Sequence, residues 1–167
     1  MATVYLGLGS NIERERYLVA GLDALQGLFG ELALSSVYDS VAIGFDGQPF
    51  LNMAARVTTD LSVGELHRTL RHIELEHGRP ANATRQSARQ LVIDILTYDK
   101  LVGVVDGVEL PRVEILDNAF VLCPLADLAP EEIHPVVGSS YSALWEAYDQ
   151  DSQLLERVNM QWRGRKI

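Results

Sequence analysis

The order of the apolar patterns constrains this chain more than any single motif. Residues 4–10 read as a buried strand running into Gly7-Leu8-Gly9-Ser10-Asn11, with Asn11 placed to cap a helix. Leu18, Leu22, Leu25 and Phe29 then recur at helical spacing up to Gly30. Residues 32–38 and 51–59 alternate as strands around a loop at 39–49 that holds Gly44, Asp46, Gly47 and Pro49. Ser62-Val63-Gly64-Glu65 has the spacing of a capping box, and the helix it opens puts Leu66, Leu70 and Ile73 on one face before Gly78. A loop from Arg79 to about Arg89 leads to a strand at 91–98, and residues 101–110 form a hairpin around Asp106-Gly107. Residues 120–128 are helical despite Pro124, residues 141–148 form a last helix, and the tail from Leu154 is an edge strand. A β-α-β-β-α-β order is that of a ferredoxin-like α+β fold, here with extra helices and a hairpin. It predicts one domain over residues 1–167, helices covering one sheet face, and the strand of Asp94 near the centre of a mostly antiparallel sheet.

Charge narrows the function. Fourteen Lys and Arg against 23 Asp and Glu leave a net charge of −9, which argues against nucleic acid or an anionic membrane as partner. No apolar run approaches the roughly 20 residues that span a bilayer, and no basic segment precedes the first apolar run. A single cysteine, Cys123, forms no internal disulfide and reads as a buried core thiol. These features fit a cytoplasmic protein that handles small molecules.

Four places could carry chemistry. Gly7-Leu8-Gly9 after a strand suggests a dinucleotide loop, but position 12 is Ile where a third glycine belongs, so a tight turn explains it better. Residues 79–93 hold Arg79, Arg85 and Arg89 with no acid between Arg79 and Ile93. Such a cationic island suits phosphate oxygens, or else the chain's own surplus carboxylates. Asp94 stands in an otherwise apolar strand, either at an exposed end or as a magnesium ligand. Phe50 and Asn52 share a strand face, where a ring and an amide make a platform for a flat heterocycle or simply pack the core. His72 and Glu76 lie at i and i+4, too few ligands for a metal, and Trp162-Arg163-Gly164-Arg165-Lys166 reads as a frayed basic end.

Taken together, these segments resemble a known family. Gly7-Leu8-Gly9-Ser10-Asn11, Phe50-Leu51-Asn52, Glu74 with Gly78-Arg79, Arg89 with Asp94, and Phe120-Val121-Leu122-Cys123-Pro124-Leu125 ending in Leu128-Ala129-Pro130 follow the order and spacing of 6-hydroxymethyl-7,8-dihydropterin pyrophosphokinase. The resemblance runs from about Thr3 to Pro135. It implies a ferredoxin-like α+β fold and transfer of the β,γ-diphosphate of ATP to the pterin hydroxymethyl group, with Mg2+ as cofactor and AMP released. It further implies pterin binding by Ile43, Phe50, Asn52 and Phe120. ATP binding falls to Glu74, Arg79, Arg85, Arg89 and Arg112, and catalysis to Arg79, Arg89 and Asp94, with Asp94 the metal ligand. The expected partners are a pterin and ATP, and the expected state is a monomer or weak homodimer.

The departures from the family pattern fall mostly on the nucleotide side. The family's Asp-apolar-Asp strand is here Val92-Ile93-Asp94, so one metal-bridging carboxylate is replaced by Val92. Gln86 replaces a Trp, Ala81 and Asn118 replace arginines, Arg112 a His and Ala119 a Gly. On the pterin side Phe50 stands where Tyr is commoner, and Ser40-Val41 where the family has Thr-Pro. The resulting expectation is a pyrophosphokinase-like enzyme of attenuated activity. Its alternative is a non-catalytic pterin-binding protein that keeps the pocket and has lost efficient ATP and magnesium chemistry.

Overall fold

A computed structural model describes residues 1–40, 49–77, 90–150, 153 and 155–167. The elements are β1 (Ala2–Ser10), α1 (Arg14–Phe29), β2 (Ala33–Leu34), β3 (Val37–Ser40), β4 (Phe50–Thr59), α2 (Val63–Glu76) and β5 (Val92–Tyr98). The hairpin β6 (Gly103–Val105) and β7 (Val108–Leu110) precedes α3 (Glu114–Asp117), α4 (Ala119–Leu128) and α5 (Tyr141–Ala147). The chain closes with β8 (Leu155–Val158), β9 (Gln161–Trp162) and β10 (Arg165–Lys166). The main sheet runs β5-β1-β4-β3-β8, with β2 also paired to β4, and every ladder is antiparallel. The first four of those strands, with α1 and α2, are the ferredoxin-like core. Contrary to the sequence expectation, β5 lies at an edge of this sheet rather than near its centre. Its apolar run reflects burial on both faces, which a central position and a covered edge produce equally.

Period-2 alternation sorts the strand residues between two cores. Val4, Leu6 and Leu8 of β1, Leu51, Met53 and Val57 of β4, and Ile93 and Ile95 of β5 face α1 and α2. There they meet Leu18, Leu22, Leu25, Leu66, Leu70 and Ile73. Each such leucine buried outright contributes roughly 1.5–3 kcal/mol. The opposite face is not bare, as one-sided helix cover would have it. Tyr5 and Leu96 pack there against Ile115, Leu122, Leu125 and Tyr141 of the added helices.

Local signals act as their chemistry requires. Ser62 Oγ accepts from Glu65 N at 3.2 Å while Glu65 Oε1 accepts from Ser62 N at 3.0 Å, a closed capping box. Asp106 and Gly107 both take positive φ, 51° and 80°, the backbone of a type I′ hairpin turn. Asp106 Oδ2 also accepts from Gly64 N at 3.0 Å, which ties this hairpin to the start of α2.

Other expectations need correction. Asn11 does not cap α1; it is buried, and the cap position is Glu13 in the left-handed region at φ 43°. Leu32 to Tyr38 is not one strand but two short ones, split at buried Ser35 and Ser36. Ser35 Oγ accepts from Ala54 N at 2.8 Å and donates to Ser36 O at 2.7 Å, satisfying the backbone where the ladder breaks. The C-cap of α2 is His77; Gly78 lies outside the described residues. The hairpin β6-β7 is a two-stranded sheet of its own, off the main sheet.

The tail differs most from the sequence reading. Beyond the expected edge strand β8, residues 161–166 are not frayed: Trp162 is 2% exposed and packs in the larger core. Its Nε1 and Arg163 Nε both donate to Asp23 Oδ1 of α1 at 2.9 Å. Burial opposes the charge on Asp23, but those donors prevail and hold its carboxyl below the ordinary value.

Candidate functional site

Strand register builds the site from the sequence upward. Gly9 of β1 stands opposite Val92 of β5 on one side and Asn52 of β4 on the other. Asn52 in turn faces Tyr38 of β3, and Tyr38 faces Arg157 of β8. One row of side-chain positions therefore crosses the sheet as Val92, Gly9, Asn52, Tyr38 and Arg157. The adjacent row runs Asp94, Gly7, Ala54. Gly7 and Gly9, two residues apart, let neighbouring side chains close over both rows on the face that Tyr5 and Leu96 share with α4: a Cβ at Gly7 would stand 3.3 Å from Leu96 Cδ2. A Cβ at Gly9 would stand 3.1 Å from Asn52 Oδ1 and 3.4 Å from Phe50 Cδ1. The Gly-x-Gly signal thus marks close approach of Leu96, Asn52 and Phe50 to the strand, not a phosphate loop.

The amide of Asn52 is fixed before any ligand arrives. It is 7% exposed, and its Nδ2 donates to Ser40 Oγ at 2.6 Å. With the donor end taken, the acceptor Oδ1 is the end turned toward Gly9. Phe50 begins β4 on the same face, half-buried. Phe120 is half-buried in the first turn of α4, the helix that packs across β4. Beneath that helix the Tyr38 hydroxyl neighbours Cys123 and Asp127, and burial, helped by both, pushes its pKa up. Burial and then Asp127 raise the Cys123 thiol to about 11 against the Tyr38 hydrogen bond, so it stays protonated at neutral pH and is no nucleophile.

Asp94 lies half-buried on β5, and its partner among the described residues is Arg112, with Nη2 3.6 Å from Oδ2. Arg112 is itself anchored: its Nε lies 2.6 Å from Oε2 of the nearly buried Glu114. Glu74, read from the sequence as an ATP contact, is 1% exposed, and its Oε2 accepts from Ile93 N at 2.8 Å. Its Oε1 pairs with Arg71 at 3.6 Å. A carboxylate so placed fixes the start of the strand that carries Asp94. Ile43, Arg79, Arg85 and Arg89, with Ala81 and Gln86, lie outside the described residues.

The roles of two residues escaped the sequence reading. Ser40, which orients Asn52, lies twelve positions before it, and only strand pairing brings the two together. Glu114, which pairs with Arg112, sits two residues away at the start of the four-residue helix α3, too short for periodicity to mark a partner. His72 and Glu76 form an exposed pair at 2.7 Å, and among the described residues no group of three His, Cys, Asp or Glu could hold a metal.

The model of the 7,8-dihydro-6-hydroxymethylpterin-pyrophosphokinase (HPPK) family matches residues 5–130. The chain belongs to this family. The 2-amino-4-hydroxy-6-hydroxymethyldihydropteridine pyrophosphokinase of Aquifex aeolicus is 35% identical over 138 residues, covering 81% of this chain and 86% of the relative. The folic acid synthesis protein FOL1 of Dictyostelium discoideum is 32% identical over 136 residues, 80% of this chain but 20% of that longer protein. Among solved structures, wild-type Plasmodium falciparum HPPK-DHPS superposes with a TM-score of 0.73 at 13% identity, over 99% of this chain and 50% of that one. That likeness shows the fold. The matched span takes in both register rows except Arg157, together with Arg112; β8 to β10 lie beyond it.

Proposed function

We propose that this protein transfers the β,γ-diphosphate of ATP to the hydroxymethyl group of 6-hydroxymethyl-7,8-dihydropterin, a step of folate biosynthesis. The observation that carries this reading is the row Val92, Gly9, Asn52 with Asp94 beside it, in a chain of the HPPK family. The pterin stacks between Phe50 and Phe120, with Ile43 as an apolar wall. Because the Nδ2 of Asn52 is committed to Ser40, its Oδ1 accepts from an N–H on the pterin edge. The substrate hydroxyl oxygen bonds to the β-phosphorus, and the bond from that phosphorus to the α,β-bridging oxygen breaks. AMP leaves with the electron pair, and the hydroxyl proton passes to water.

Such a transfer depends on positioning and charge neutralisation. Arg79, Arg85, Arg89 and Arg112 take the phosphate oxygens, with Arg79 and Arg89 at the reacting group, and Glu74 acts through the strand it braces. Asp94 together with substrate phosphates is the kind of donor set magnesium accepts. Bound there, magnesium would neutralise phosphate charge. The same reading makes residues 1–167 a single cytoplasmic domain, a monomer or weak homodimer that binds a pterin and ATP but neither nucleic acid nor membrane. Its net charge of −9 supports the last point, and among the described residues no helix is long and apolar enough to cross a membrane.

The test is AMP release from ATP and the pterin with magnesium. Turnover should be measurable yet well below about 1 s⁻¹, the lower end for working enzymes. If no AMP forms while the pterin still binds at micromolar concentration, the site is a pterin receptor and the transferase reading fails.

A further inference from the structure

Among the described residues, Arg112 is the one cation brought to Asp94, and its surroundings leave part of it available. Its Nε lies 2.6 Å from Oε2 of Glu114, an ion pair that keeps the guanidinium beside that carboxylate. The Nη2 lies 3.6 Å from Asp94, an attraction but longer than a hydrogen bond. Both terminal nitrogens therefore keep donors for an incoming anion, in the rigid fork that matches phosphate oxygens. The carboxylate inventory at the same place is short. Val92 precedes Asp94 by two residues, shares its face and offers no oxygen; buried Glu74 is turned to the backbone of Ile93. One carboxylate plus phosphate oxygens holds one magnesium ion, whereas two metals in one site need bridging ligands that the described residues of this face do not offer.

Building on the diphosphate transfer proposed above, we propose that Arg112 supplies, from the protein itself, positive charge that a second metal would otherwise bring, so that the nucleotide binds and reacts with a single divalent ion at Asp94. A fixed guanidinium is suited to this work because it is always charged and needs no ligand set of its own. Its anchoring by Glu114 means that little reorganisation is required as charge develops on the transferring group.

Metal counting gives a test that needs no turnover. The unmodified protein is titrated with Mn2+ in the presence of α,β-methylene-ATP, whose scissile bond is blocked, and bound metal is read by electron paramagnetic resonance. One ion per chain is expected; two overturns the proposal. In Arg112→Ala the count should remain one, while affinity for the Mn2+ complex of the analogue weakens at least tenfold and AMP release falls about 10²–10³-fold. Arg112→Lys, which keeps the charge and loses the fork, should recover part of both. An Arg112→Ala protein that binds the analogue unchanged, or binds Mn2+ more tightly and turns over faster, overturns the proposal by showing that the arginine merely blocks the metal. Failure of the pterin reaction would show separately, as absent AMP release with the metal count and analogue affinity still as expected here.

Discussion

The two halves of the open sheet face differ in how completely their own residues finish them. On the β4 and β3 side, Asn52 is held by Ser40, and both Asn52 and Phe50 close over Gly9. That half needs no ion to be in order. On the β5 side, Asp94 has no second carboxylate in its row or the next among the described residues, and the cation they bring to it is Arg112, which is tied to Glu114 of another element. The departures from the family pattern at Val92, Arg112 and Asn118 fall on this side or on the segment that supplies its arginine. A binding pocket and a reaction centre can thus diverge separately on one sheet, because adjacent strands carry them.

The sharpest way to break the comparison is to restore the missing oxygen. Val92→Asp would put a second carboxylate two residues from Asp94 on the same face. Loss of one bridging ligand is worth about 3–5 kcal/mol, or roughly 10²–10⁴ in rate. A gain of at least tenfold in AMP release is expected, short of the full factor because Gln86, Asn118 and Arg112 also differ. The metal count of the variant should rise to two. If the unmodified protein already turns over near 1 s⁻¹, Val92 is not the limiting change and the contrast between the halves disappears.

The pterin half is tested by Asn52→Ala. Loss of Oδ1 leaves a donor on the pterin edge unpaired, at a cost of about 1–3 kcal/mol. Pterin fluorescence quenching without ATP should show micromolar binding by the unmodified protein and a correspondingly weaker variant. An unchanged affinity would mean that Asn52 only supports Ser40. Removing Mg2+ should leave this binding intact while it abolishes AMP release, since none of the pterin-side groups needs a metal.

The smallest effect lies away from both halves. His134 is buried, and its Nδ1 accepts from Val136 N and Val137 N at 3.1 and 3.2 Å. Burial lowers its pKa from the ordinary value of 6.5. The unfolded chain therefore binds the extra proton first as pH falls, so stability is full above about pH 6.5 and declines below it. Thermal melts from pH 7.5 to 5 should show this decline, reduced in His134→Asn; a slope that is the same in both proteins would assign the effect to other groups.

Much of the scaffold was legible because its signals are local. Ser62 and Glu65, Asp106 and Gly107, and the leucines of α1 act within a few residues of one another, and each did what its spacing indicated. The Gly7 and Gly9 pair was visible but misleading, since spacing shows that two glycines share a face and not what the neighbouring strands place over them. The edge position of β5, the Ser40 contact to Asn52 and the pairing of Glu114 with Arg112 depend on strand pairing or on a single short helical turn, where sequence period carries no information. Asn11 illustrates a further limit: a good capping residue was drawn into the interior, and the helix began two residues later behind a left-handed Glu13.

The contact of Trp162 and Arg163 with Asp23 joins residues 139 and 140 positions apart. Its consequence is one for protein engineering. A shortened version that stops where the family match does, at residue 130, would remove β8 from the flank of β3 and the indole from the larger core. Val37, now fully buried, would then sit on a bare strand edge, an invitation to sticky self-association. Minimal versions for crystallography or screening should therefore retain residues 155–167, and fusion partners are better attached through a spacer than directly to β10.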